Sequence, residues 1–516
     1  MYHKKAYTRD LKKREKRKGE NMETKKSGYS SRFALICVLI GGSVGTGNLW
    51  RFPRLVANTG GAAFIIVMTV CVFLTALPLL YVENFMGRAT RHSAPGAFHD
   101  ICGKKYTCLG MFATLAYLLM LAYYLVVLAW CLRYAGMSLT GGYFGVDKEA
   151  LFTSVTTADP ATIGVWVVAL VLVYFGIAKQ EALEKVSSIL MPCLFGLLIG
   201  LVVYALTRKG AYDGLKYSFT LNPKSLVDIN IWKEALTQVA WSIGPGTMMI
   251  TAAMVSHKDG DITLNSHVQA FGDMTVALLG TVCVLPIIFA NALSPEAASE
   301  ICASGNNGLT FMALTEMFEG MAGGRFVGCA FFLCLSFAAF TSATLMAMCG
   351  VNILIDCGVS RKKGSLIVVL FLAIVGLPSA INPDILNNQD NVWGFGLMWG
   401  SLFLGIAAMK FGAKKMRTKF LNPVSDIKIN KTFDILAPYV APLLVLAVLV
   451  VWMVSSIGWS DTPWAMTFTG VTTGTILYQW IVVFIASIFL SRWYNKKIVA
   501  NYYDGEEFPE MPEGLL

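Results

Sequence analysis

The sequence is 516 residues long, 55% hydrophobic and only 14% charged, with a formal net charge of +10 and a mean hydropathy of +0.59. A soluble domain cannot keep its surface wet on that composition, so the chain reads as an integral membrane protein. Its basic residues sit in tails and alternate loops rather than on one folded face, which excludes a nucleic-acid binder.

The first 31 residues are strongly basic and lack an apolar h-region, so they are not a signal peptide. Lys18-Gly19-Glu20-Asn21 can be encoded by a purine-rich stretch resembling a bacterial ribosome-binding site. Two readings therefore stand side by side: translation from Met22, or a basic tail adhering to anionic lipid. Beyond this tail, apolar runs near the roughly 20 residues that cross hydrocarbon recur along the chain. They predict an all-α protein of about twelve transmembrane helices, near 33–57, 62–87, 108–137, 163–178, 186–206, 232–255, 268–292, 326–356, 364–380, 391–412, 436–458 and 473–494.

Lys and Arg concentrate in the N-terminal tail, after Gly87, at Arg361-Lys362-Lys363, from Lys410 to Lys431 and from Arg492 to Lys497. The intervening loops, Leu139 to Thr162, Ser294 to Met321 and Asn382 to Asn391, are acidic or neutral. By the positive-inside rule both termini are cytoplasmic; the membrane is expected to be a plasma (inner) membrane of bacterial type. The 12 cysteines are scattered without a CxxC pair, and His3, His92, His99, His257 and His267 stand singly. Neither a disulfide framework nor a zinc-type metal centre is expected.

Two spans are interrupted in sequence. The first contains Gly41-Gly42-Ser43-Val44-Gly45-Thr46-Gly47-Asn48 and the sixth Ser242-Ile243-Gly244-Pro245-Gly246-Thr247, runs that no continuous helix would choose. A lone Gly-x-x-x-Gly reads as close helix packing. Two breaks five spans apart are different, because an odd offset brings the second unit into the membrane from the opposite side, as an inverted pair. Unwound backbone at membrane depth survives only where it is buried in protein or lines a cavity, so the breaks mark a binding site.

The residues Ser31-Arg32-Phe33, then Gly45-Thr46-Gly47-Asn48-Leu49-Trp50-Arg51-Phe52-Pro53 and Asn58-Thr59-Gly60-Gly61-Ala62-Ala63-Phe64, carry a specific resemblance. With Pro78, Glu83, Met86-Gly87-Arg88, Tyr123-Tyr124 and Thr341-Ser342, the chain from about residue 29 to 494 resembles the neurotransmitter:sodium symporter family. The resemblance implies a five-plus-five inverted repeat with helices 1 and 6 broken. On that plan residues 1–31 are a cytoplasmic tail, 32–206 and 207–412 the two repeats, 413–494 two further spans and 495–516 a second tail. It further implies a sodium-coupled symporter that imports a neutral, hydrophobic or aromatic amino acid through the bilayer by alternating access, and makes no covalent change.

The same resemblance implies two sodium ions. One would be held by Ser43, Asn48, Ser242 and Asp273 with the substrate carboxylate; the other by carbonyls of Gly41, Val44 and Ala338 with the hydroxyls of Thr341 and Ser342. The substrate carboxylate would meet the amides of Thr46 and Gly47 and the Tyr124 hydroxyl, at the positive end of a half-helix. Met120, Trp241, Gly244, Thr247, Ala343 and Met346, beside Ser43, Ser242 and Ser342, would surround the rest of the molecule. The family usually has phenylalanine where Trp241 stands, and Pro245 and Thr247 also depart from its pattern.

Arg51 would pair with Asp390, assisted by Gln238, as an outer gate, while Arg32 or Lys26 would pair with Asp356, with Tyr29 as a plug, as an inner one. Glu83 would accept orphaned N–H groups of the broken helices. Asp273 replaces a usual asparagine and would supply the negative charge that chloride supplies elsewhere in the family, making transport chloride-independent. A channel would need an open pore rather than two gates around one pocket, and a membrane enzyme would need clustered ligands or a nucleotide loop that the chain lacks. A substrate-sensing receptor of the same fold satisfies the same residues, and a homodimer is compatible with them.

Overall fold

The computed structural model describes residues 29–243, 246–254, 261–292 and 294–498. The expectations on Met22, Lys26, Gly244, Pro245, His3 and His257, and on the two terminal tails apart from 29–31 and 495–498, lie outside the described residues. Among the described residues, ten helices are long and apolar enough to cross a membrane: Ala62–Thr90, Lys104–Thr140, Pro160–Ile177, Glu181–Leu206, Ile262–Asn291, Gly324–Asp356, Arg361–Ile381, Pro383–Phe411, Phe433–Trp459 and Thr473–Lys497. They match ten of the expected spans. The first and sixth expected spans do not figure among them because each is broken: Arg32–Ser43, Thr46–Leu49 and Arg51–Asn58 make up the first, Ile229–Ser242 and Met248–Ala253 the sixth.

Helix entries follow local chemistry. Ser31 accepts the amide of Ala34, Asp159 those of Ala161 and Thr162, Asp261 that of Leu264 and Thr472 that of Thr475, each satisfying first-turn donors that would otherwise lack partners. Asn382 caps in the same way with Pro383 at the first helical position, so the polar stretch Asn382 to Asn391, expected as a loop, is a helix as far as Gly396. That correction matters because it puts Asp390 on a helix that faces the interior.

Burial separates scaffold from lipid-facing elements. The third, eighth and tenth spans are buried over 78%, 72% and 78% of their most apolar stretch, the eleventh over only 28%. The third and eighth lie along each other at the centre, and the interrupted first span runs beside the fifth, seventh and eighth. Glycines set how closely the elements approach. A methyl at Gly87 would overlap the carbonyl oxygen of Ile250 and stand 2.9 Å from Ala253 Cβ, so this glycine lets the second half of the sixth span lie against the second span. Gly41 and Gly42, expected in the break, lie inside the helix Arg32–Ser43, and Gly41 packs against Thr341 and Met191.

Gly87→Ala must push the Met248–Ala253 segment outward. The expected cost is about 1–3 kcal/mol of overpacking, read as a lower unfolding temperature of the detergent-solubilised protein. An unchanged melting temperature would show that this contact is not tight.

Candidate functional site

The break in the first span falls at Val44 and Gly45, both in extended conformation. Helix restarts at Thr46, and the short segment is tied down by side chains rather than by its own ladder. Gly45 donates its amide to Asn48 Oδ1 at 2.9 Å, and Thr46 donates its amide to the Tyr124 hydroxyl at 3.1 Å. In the sixth span Gly246 and Met249 donate their amides to the two oxygens of Glu83, at 3.0 and 2.8 Å. Glu83 is fully buried and braces the sixth span, whereas the first is held by Tyr124 and Asn48.

Between the breaks lies a triangle of polar side chains. Asn48 donates through Nδ2 to Asp273 Oδ1 at 2.8 Å, to the Asp273 carbonyl at 3.2 Å and to Ser242 Oγ at 3.3 Å. Ser242 donates to the second carboxylate oxygen of Asp273 at 2.6 Å. Asp273 is fully buried, so these two neighbours take the place of water around a carboxylate. Ser43 turns back to the carbonyl of Leu39, at 3.4 Å.

The triangle borders a cavity of about 200 Å³. Of the expected substrate residues, Ser43, Thr46, Gly47, Met120, Tyr124, Trp241, Ser242, Ser342 and Met346 line it. A side chain at Gly47 would meet open space, so this glycine keeps the cavity clear beside the break. Thr247 and Ala343 are fully buried and do not line the cavity, contrary to expectation. A Cβ on Gly246 would stand 2.8 Å from the Tyr117 hydroxyl, so the chain lies close to the third span here, and Thr247 takes the cap position of the next helix instead of forming a wall.

The residues expected around a second ion are also adjacent. Thr341 donates to the carbonyls of Phe337 and Ala338, and Ser342 to those of Ala338 and Ala339, with its oxygen 3.4 Å from the Tyr124 hydroxyl. Val44 is fully buried, and Gly41 packs against Thr341.

The expected gates are partly different. Arg51 is buried, hydrogen-bonded to Gln238 and paired with Glu234 at 3.2 Å, with its guanidinium 4.6 Å above the Trp241 ring. It makes no direct ion pair with Asp390, which instead accepts from the Tyr123 hydroxyl at 2.8 Å. Glu234 is not singled out by sequence although it stands one helical turn before Gln238, where an acid on the same face is the available signal. Arg51, Trp241 and Asp390 line both the central cavity and a neighbouring pocket that includes Arg54, Glu234, Phe395, Trp452 and Trp459. They form the wall between the two spaces. At the other end Tyr29 is buried and donates to the carbonyl of Ala252. Arg32 is exposed and does not meet Asp356. Asp356 instead accepts from the Ser93 amide and the Tyr494 hydroxyl, both at 2.8 Å, because the eighth helix ends against the first turn of helix Ala94–Cys102.

The tenth span presents two faces. Pro383, Leu386, Asn387, Asp390, Gly394 and Leu397, at helical spacing, line the cavity. On the back, Gln389 Nε2 bridges Asn388 Oδ1 and Gln479 Oε1, both at 3.0 Å, Gln479 Nε2 returns to Asn388 Oδ1 at 3.0 Å, and Trp393 donates to Gln389 Oε1 at 2.9 Å. Asn388 also donates to the carbonyls of Thr467 and Gly470. This ring of carboxamides fixes the rotation of the helix.

Comparison with known proteins agrees with this architecture. The model of the sodium:neurotransmitter symporter family matches residues 26–144 and 151–496. An uncharacterized sodium-dependent transporter of Methanocaldococcus jannaschii is 28% identical over 443 residues, covering 81% of this chain and 89% of that protein. A sodium-dependent neutral amino acid transporter, B(0)AT2 of Pongo abelii, is 23% identical over 336 residues, covering 58% of this chain and 45% of that protein. The crystal structure of MhsT in complex with L-phenylalanine superposes with a TM-score of 0.68 at 25% identity, covering 82% of this chain and 99% of the other. With the broken helices, the buried polar triangle and a family match over nearly its whole length, the chain belongs to the sodium:neurotransmitter symporter family, as a sodium-dependent membrane transporter and not an enzyme.

Proposed function

We propose that the chain imports a neutral amino acid with a hydrophobic or aromatic side chain, driven by two sodium ions and independently of chloride. The observation that carries this reading is the Asn48–Ser242–Asp273 triangle at the edge of a cavity whose other walls are Met120, Met346, Tyr123, Trp130 and Trp241. Oxygen-rich groups at one end suit a hard cation and a carboxylate, and methionines with aromatics at the other suit an apolar side chain. The B(0)AT2 relative is named as a neutral amino acid transporter and the MhsT structure contains L-phenylalanine, which favours the same substrate class.

The first ion sits at Ser43, Asn48, Ser242 and Asp273 with the substrate carboxylate, which also takes the Thr46 and Gly47 amides and Tyr124. The second sits among Gly41, Val44, Ala338, Thr341 and Ser342. In the orientation that places both termini in the cytoplasm, the cavity reaches toward the outside, past Arg51, Asn387 and Pro383, while Tyr29 on Ala252 seals the inner end. Twelve spans in a five-plus-five repeat then alternate access by rocking of spans 1, 2, 6 and 7, the broken helices among them, against the rest. Asp390 sits at the outer wall beside Arg51 and Trp241, so an Arg51–Asp390 contact belongs to a more closed state.

Because the ion and the substrate carboxylate share one coordination shell, each must strengthen the other's binding by the same factor. Amino-acid affinity is expected to be at least about tenfold higher in sodium than in potassium or choline, measured by a thermal-shift or binding screen of the amino acids. Equal affinities would defeat the symport reading. Asn48→Ala removes the amide at the centre of the triangle and is expected to abolish the sodium effect on binding and uptake; normal sodium-dependent uptake by that variant would place the site elsewhere.

A carboxylate buried in the membrane needs a cation or a proton, so Asp273 is charged while sodium is bound and takes up a proton when the carrier returns empty. Wild-type uptake is therefore expected to be unchanged when gluconate replaces chloride. Asp273→Asn is expected to lose most uptake without chloride and to recover part of it with chloride. A chloride requirement in the wild type, or full activity of the variant with unchanged pH dependence, contradicts this role.

A further inference from the structure

Trp241 forms part of the cavity wall, and the tenth span is shaped to receive it. A Cβ built on Gly394 would lie 3.1 Å from Cζ2 of Trp241, 3.4 Å from Cη2 and 3.5 Å from Cε2. Three consecutive ring atoms at nearly equal distance mean that the added carbon would stand over the flat face of the benzo ring, not at its edge. The 3.1 Å contact is tighter than ordinary van der Waals packing and the other two are at its limit, so even a methyl asks the ring to yield by a few tenths of an ångström and a larger side chain asks more.

Its freedom to yield is limited. The Arg51 guanidinium lies 4.6 Å from the ring, and Phe395 tilts against it at a centroid distance of 5.6 Å, itself backed by Trp452 at 5.3 Å. The carboxamide ring on the back of the tenth span holds Gly394 at this rotation, since Asn388 and Gln389 are bonded away from the cavity to Gln479 and Asn388 also to the carbonyls of Thr467 and Gly470. Displacement of the indole by a side chain at 394 is therefore directed away from the tenth span and into the space the two residues jointly line.

We infer that Gly394 determines which size of substrate the transporter accepts, acting through Trp241: the missing side chain allows an indole rather than a smaller ring to form the wall while leaving room for a bulky amino-acid side chain. This rests on the reading of the cavity as the amino-acid site. Gly394 is a positioning residue and does not itself hold the substrate.

The test is sodium-driven uptake, in parallel with sodium-dependent thermal shift, of alanine, valine, leucine, phenylalanine and tryptophan by the full-length wild type, Gly394→Ala, Gly394→Val, Trp241→Phe and the Trp241→Phe/Gly394→Val double variant. Gly394→Val is expected to lower the preference for the largest accepted substrate over the smallest by on the order of tenfold, Gly394→Ala by less, and the double variant is expected to regain most of the loss because the smaller ring leaves the space the valine occupies. A uniform loss for all substrates, an unchanged size ranking in the folded Gly394→Ala protein, or a double variant no better than Gly394→Val alone overturns the inference while leaving the transport reading intact. A wild type that neither binds nor carries any of the amino acids in sodium overturns both.

Discussion

The architecture depends on a constraint that applies nowhere in water: a peptide group freed from its helix inside a bilayer has only protein to bond. Two helices are broken here, and each break is made tolerable by groups from outside it. Tyr124 of the third span takes the Thr46 amide, while Glu83 of the second takes those of Gly246 and Met249. The braces come from elements that are themselves continuous and deeply buried. The opened backbone is thereby a fixed feature around which a cavity can form, not a defect that lipid would force shut. The same logic explains why charge is buried in so apolar a protein: Glu83, Asp273, Asp390 and Arg51 each hydrogen-bond polar groups that lie inside the bundle.

Much of the layout is legible in the amino-acid sequence. Apolar runs locate the spans because hydrocarbon thickness leaves little choice of length, and Gly, Ser and Pro in a row locate the breaks because those residues oppose helix from within. The departures have physical causes too. Asn382 to Asn391 reads as a loop by polarity, yet it is helical: Asn387 and Asp390 face the cavity and Asn388 and Gln389 face a carboxamide ring, so polar residues on both sides blur the apolar stripe that would betray a helix. Gly41 and Gly42 read as part of the unwinding but pack inside a helix, because the same residue serves both purposes and composition does not distinguish them.

Pairings across distant segments are the least legible. That Asn48, Ser242 and Asp273 converge can be expected only from the family resemblance, since nothing local in the sequence joins Asn48 to a residue 194 positions away. The choice of Glu234 over Asp390 as partner of Arg51, and of Ser93 and Tyr494 over Arg32 as partners of Asp356, depends on the tilt and end points of helices. Periodicity does not encode those quantities, and shifts of a few ångströms decide which of two acids a guanidinium reaches.

The carboxamide ring behind the tenth span has a mechanical implication. A slip of one residue turns a helix by about 100° and advances it about 1.5 Å, so any screw motion of this element would break at once the bonds that tie Asn388 and Gln389 to Gln479, Thr467 and Gly470. Neutral amides hold firmly without adding charge, and their bonds are insensitive to the ions and membrane voltage that pass beside them. The tenth helix is thereby pinned to the twelfth, and in the alternating access proposed above its Asp390 and Gly394 would form a fixed rim past which the broken helices move.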